Sequence, residues 1–177
     1  MNEINLLSTI AEVAASYAGF VTLAALIGKR SNYRMMATRV IALLVLSLMV
    51  VIFALAPGLV FLFNIDTDAV WSAASGIFGI VLTVYWSFML NRLLSRPKGT
   101  HVPLLNRINT LGTHPLCILL LVTISLGFWG ELAAAIYTLV LVIVMIVAGS
   151  LFVQIVYEML DTEEKVFPSF KPYQDEM

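Results

Sequence analysis

Apolar residues dominate this chain in five long blocks, and the polar positions fall almost entirely between them. The blocks are Ile4–Gly28, Val40–Phe63, Val70–Leu90, Pro115–Trp129 and Leu132–Tyr157. A helix needs about 20 mostly apolar residues to cross a hydrocarbon core about 30 Å thick. Four blocks meet that length. The fourth falls short; either it starts earlier, near Asn109, since Leu111 and Gly112 are cheap to bury, or it spans a locally thin region or sits within protein. The pattern predicts an all-α integral membrane bundle of five transmembrane helices, with spans at about 4–28, 40–63, 70–90, 111–129 and 132–157.

Between the third and fourth blocks, Pro97, Gly99 and Pro103 break the chain. Leu104, Leu105, Ile108 and Leu111 then recur at helical spacing, with Arg107 and Asn109 off that face. This predicts an amphipathic segment over 103–111 lying on the inner leaflet. Residues 1–160 thus form one membrane domain, and 161–177 an acidic, proline-interrupted tail expected to be extended. No internal repeat is visible.

Charge orients the array. All 10 Lys and Arg fall in three segments: between blocks one and two, between three and four, and after five. With five spans these share one side. The other side receives Glu3, Asp66, Asp68 and Glu131. The positive-inside rule then predicts the N-terminus outside and the C-terminus in the cytoplasm. Trp71 and Trp129 fall at the expected outer interface, and Tyr85 and Trp86 near the inner one. The first block is no cleavable signal peptide, because its leading residues lack positive charge and its apolar span is too long.

Composition agrees: 60% of residues are hydrophobic and 12% charged, against about 45–50% and about 25% in soluble domains. Net charge of −1 offers no basic surface for nucleic acid. Cys117 is the single cysteine, and no Cys/His metal spacing occurs. Phosphate-loop, dinucleotide and nucleophile-elbow motifs are missing, so neither an enzyme nor a cofactor is expected.

Glu12 is the conspicuous residue, since a charge at mid-span costs about 2.5–3.5 kcal/mol by insertion scales. Asn5, Ser8, Glu12, Ser16, Gly19 and Thr22 step by three or four and share a helix face. A second row, Ala11, Ala15, Ala18, Thr22 and Ala25, suits close approach of another helix. The first row predicts either a pore lining in a homo-oligomer, with Glu12 selecting cations, or helix packing in a scaffold or accessory subunit, with Glu12 protonated or bonded to a neighbouring Ser or Tyr, or set near enough the outer interface to reach water. Block three carries a comparable row, Ser72, Gly76, Gly79 and Thr83, predicted to pack against block one or a second subunit. Ala148 and Gly149 offer a packing spot in block five, whose Ile136–Val147 stretch is aliphatic all round and expected to face lipid. Pro57 predicts a kink or helix end whose freed carbonyl a neighbour satisfies. His101 and His114 read as solvated loop histidines. Lys29, Arg30, Arg34, Arg39, Arg92, Arg96 and Lys98 are placed to meet anionic lipid headgroups.

The opening I-A-E-V-A…A-G-F, Ile10 to Phe20, followed by a basic loop and a second helix with Ala56-Pro57, resembles a group of small bacterial multi-pass inner-membrane proteins. The resemblance covers about the first 60 residues. It implies a bacterial inner-membrane address and brings no activity with it.

Overall fold

The computed structural model describes residues 3–27, 33–63, 66–95 and 104–166. Among them the fold is all-helical. Helix α1 runs Glu3–Ile27, α2 Tyr33–Phe61, α3 Thr67–Leu94, α4 Leu104–Ile108, α5 His114–Ser125 and α6 Ala133–Val166. Thr38–Phe61, Thr67–Leu94 and Gly130–Tyr157 are long and apolar enough to cross a membrane.

The segment expected to lie apart as an amphipathic helix does not form a separate element. Its described part, α4, passes through one π-helical turn, Asn109–Thr113, into α5. Ile108, Thr113 and His114 all keep right-handed helical angles. Leu104 to Ser125 is therefore one unbroken helix about 33 Å long at 1.5 Å per residue. The fourth block looked short because its first turns carry the polar residues Arg107, Asn109 and Thr110.

At its far end this helix stops at Ser125, ahead of the expected 129. Gly127 adopts φ +78°. The Gly127 amide donates to the Ile124 carbonyl at 2.9 Å and the Phe128 amide to Thr123 at 3.2 Å. That pair of bonds closes a helix through a left-handed residue, for which glycine carries no Cβ penalty. A second left-handed glycine, Gly130 at φ +45°, leads into a short 3₁₀ turn, Gly130–Leu132, and then α6.

Neighbouring helices alternate in direction. Gly76 lies by Ser125 while Trp86 reaches Thr110, so α3 and α5 are antiparallel. Phe53 stacks on Phe78 and Phe61 meets Trp71, so α2 and α3 are antiparallel too.

Helix α6 is the centre of the bundle and packs on α1, α2, α3 and α5. Tyr137, Val140 and Leu141 are wholly buried on it, and Val144, Val147 and Ala148 nearly so. This corrects the expectation that Ile136–Val147 faces lipid. In a bilayer, lipid-facing and core-facing positions are equally apolar, so all-round hydrophobicity cannot separate them. Trp71 is likewise buried, against Phe61 and Tyr137, rather than standing in an interfacial belt. The small row of α3 serves α5: a Cβ on Gly79 would touch Leu121 at 3.5 Å, and one on Gly76 would meet the Ser125 hydroxyl at 2.9 Å. Among the described residues helix α1 packs chiefly on α2 and α6, and not on α3 as expected.

Pro57 sits inside α2, which continues to Phe61 before ending. The carbonyl it frees belongs to Phe53, and the buried Tyr137 hydroxyl donates to it at 2.7 Å. Helix α6 persists to Val166, past the expected start of the tail, and 167–177 lie outside the described residues.

Candidate functional site on the first helix

Helix α1 divides into two opposite faces. Leu7, Ile10, Ala11 and Ala14 are buried, and α2 is the neighbour with which α1 shares most contact. Farther along, Tyr17 stacks on Phe152 of α6 with ring centroids 6.1 Å apart, and its hydroxyl lies where a Cβ on Gly149 would approach to 3.3 Å. Gly149 is thus small because the Tyr17 ring occupies the space beside it.

The other face holds every residue of the polar row. Asn5, Ser8, Glu12, Ser16, Gly19 and Thr22 are all exposed on the outside of the bundle. The row lies within about 80° of Glu12 on a helical wheel at 100° per residue, diametrically away from Ala14. Apolar Leu6, Val13, Phe20 and Leu23 are also exposed and flank it. Gly19 has nothing within 4 Å of a would-be Cβ, so no contact inside the subunit requires a glycine there.

The hydroxyls on this side are turned inward electronically. Thr9 donates to the Asn5 carbonyl at 3.0 Å, Ser16 to Glu12 at 2.9 Å and Thr22 to Ala18 at 2.9 Å. With their protons committed to their own helix, these oxygens present only lone pairs outward. Together with the Glu12 carboxylate they make a surface of oxygen acceptors.

The second row shares a helix face by spacing, but it is not buried along its length. Ala11 is buried, Ala18 half-buried and Ala15 exposed, while the Ala25 side chain is outside the described residues. On α3, Ser72 and Gly76 are half-buried and Gly79 buried, and Thr83 donates to the Gly79 carbonyl at 2.6 Å. Of the basic residues expected to meet lipid, Arg39 is half-buried and Arg92 donates to the Thr38 hydroxyl at 2.8 Å. Lys29, Arg30, Arg96 and Lys98, and the Arg34 side chain, lie outside the described residues, as does His101.

Sequence reasoning missed a polar group at the other end of the bundle. His114, expected to be a solvated loop residue, is 7% exposed and opens α5. Its ring stacks on Tyr85 at 5.8 Å, and its Nδ1 lies 2.6 Å from the Asn109 carbonyl. Asn109 also donates its amide to Ser150 of α6 at 3.4 Å. The signal that could have found it is Pro115, which forces a local disturbance in an otherwise apolar helix.

The chain matches no family model, no curated protein and no solved structure.

Proposed function

We propose that this is a five-span protein of the bacterial inner membrane, N-terminus outside and C-terminus cytoplasmic, that self-associates through α1 and forms a cation path there. The five-span topology draws support from the one-sided distribution of all 10 Lys and Arg. One observation carries the functional part: the Glu12 row is exposed along the outside of the bundle, on a helix whose apolar block is read from the sequence as a span. A carboxylate facing acyl chains is expensive, and a second copy of α1 or a hydrated axis removes the cost. Gly19, free of any steric role in its own subunit, gives a neighbouring helix room to approach. Acceptor oxygens around such an axis can replace part of a cation's hydration shell and disfavour anions.

Purified protein in lipid vesicles tests this reading. Cation flux is expected, and Glu12→Gln is expected to reduce it strongly. Flux unchanged by the substitution would sink the Glu12 path.

One feature favours a second reading, a non-catalytic scaffold or accessory subunit. Helix α6 has 34 residues, about 51 Å at 1.5 Å each, well beyond the hydrocarbon core. Its last turns carry Asp161, Glu163 and Glu164, and a charged rod of this kind suits a protein partner. A scaffold gives no flux in vesicles of the pure protein, whether or not Glu12 is present.

A further inference from the structure

We propose a second polar site, separate from α1, at the end of the bundle where α6 leaves it: a hydrated inlet in which His114 and Gln154 bind water between α3, the π-turn and α6. The bonding around His114 fixes its chemistry. A carbonyl oxygen only accepts, so the 2.6 Å contact with Asn109 makes Nδ1 the protonated nitrogen. That leaves Nε2 as a lone-pair acceptor. Its other contact among the described residues is the stack on Tyr85, which offers that nitrogen no hydrogen-bond donor.

The Asn109 carbonyl takes two donors, the His114 Nδ1–H and, across the π-turn, the His114 main-chain amide. The imidazole is thereby held in one orientation. A π-turn at such a point widens the helix and is a frequent mark of function.

On α6 the same corner continues. Ser150 accepts from the Asn109 amide and donates its own hydroxyl to the Val147 carbonyl. Gln154 follows one turn later on the same face, next to Ser150 in the row Val147, Ser150, Gln154. Both its carboxamide nitrogen and its oxygen are shielded and have no hydrogen-bond partner among the described residues. A shielded amide of this kind is satisfied by an ordered molecule offering both a donor and an acceptor, and water is the smallest that does. Toward the middle of the bundle, one turn past His114, Cys117 and then Leu121 close the site with buried apolar surface. At the mouth stand Trp86, whose indole holds the Thr110 carbonyl, and exposed Arg107. The arrangement gives the chain a base, inside the helical bundle, that water reaches from one end only.

Two measurements on the full-length protein in lipid nanodiscs, where both faces are open to buffer, decide it. The first uses the native chain: diethyl pyrocarbonate acylates an imidazole nitrogen that is open to water, and mass spectrometry locates the adduct. His114 is expected to react in the folded protein; reaction only after unfolding overturns the proposal. The second uses Gln154→Cys with a membrane-impermeant trimethylammonium methanethiosulfonate, with native Cys117 as the internal dry reference. The new thiol is expected to react at least about tenfold faster than Cys117, following the access dependence of thiol reactivity. Equal, slow reaction of both thiols overturns it.

Discussion

The Tyr137 hydroxyl donates to the main-chain carbonyl of Phe53 at 2.7 Å, across the interface between α6 and α2. That carbonyl is the acceptor which Pro57, four residues on, has no N–H to serve. Both groups are buried, so no solvent competes for them. Tyr137 also touches Trp71 and Phe78 of α3, with ring centroids 5.6 Å and 6.0 Å away. One side chain thus repairs a proline break and ties three helices together.

Removing the hydroxyl while keeping the ring isolates the repair. Tyr137→Phe is expected to destabilise the folded protein by about 1–3 kcal/mol, the cost of leaving a buried acceptor unmade. Pro57→Ala restores the missing amide. In that background Tyr137→Phe is expected to cost much less, a coupling read by denaturation of the four proteins of the cycle. Equal costs in both backgrounds would separate Tyr137 from the proline.

Trp86 and Pro115 stand in the same relation on another pair of helices. The Trp86 indole donates to the Thr110 carbonyl at 2.7 Å. Within the widened turn, the residue five positions on is Pro115, which has no N–H to offer. Trp86→Phe is therefore expected to loosen the π-turn, seen as faster amide exchange from Asn109 to Thr113, with a loss of about 1–3 kcal/mol. Unchanged exchange would assign Trp86 to lipid packing alone.

These repairs show which parts of the fold the residues announce. Apolar block length marked the long helices, and Pro57 announced a carbonyl needing a donor. The donor's identity was hidden, because Tyr137 sits in an aliphatic stretch that reads as lipid-facing as readily as core. For the same reason the central place of α6 was not legible: a bilayer rewards apolar side chains on both faces. Small residues on α3 announced a close contact but not with which helix. The polar row of α1 was legible as a single face from its spacing, whereas its outward direction depends on which residues α2 covers. His114 was misread because polar neighbours on the sequence resembled a loop, and they are in fact the first turns of an unbroken helix.

The contact between Gly76 and Ser125 separates size from flexibility. A Cβ at Gly76 crowds the Ser125 hydroxyl at 2.9 Å, which can rotate away, and meets the Ser125 Cβ only at an ordinary 3.8 Å. Gly76→Ala is expected to cost under about 1 kcal/mol. Gly76→Leu cannot be accommodated without separating α3 from α5 and is expected to cost about 3 kcal/mol or more, since overpacking forces backbone shifts. Thermal denaturation in detergent compares the two; equal costs would place the α3–α5 contact elsewhere.

Ser47 and Ser75 are wholly buried, and their hydroxyls have no partner among the described residues. Replacing either by alanine removes an unsatisfied polar group and favours the helix. Both variants are expected to match or exceed the parent in stability by up to about 1 kcal/mol. A clear loss in either would mean that its hydroxyl is bonded in the assembled protein.

The central claim is that the polar face of α1 meets a copy of itself. Oxidative cross-linking in native membranes tests it most directly, using single cysteines placed in a Cys117→Ala chain. Ser16→Cys lies on the polar row, and Val84→Cys lies on the exposed apolar side of α3. A covalent dimer is expected from Ser16→Cys and none from Val84→Cys. A chain that stays monomeric at Ser16→Cys, or that cross-links only through α3, would contradict it.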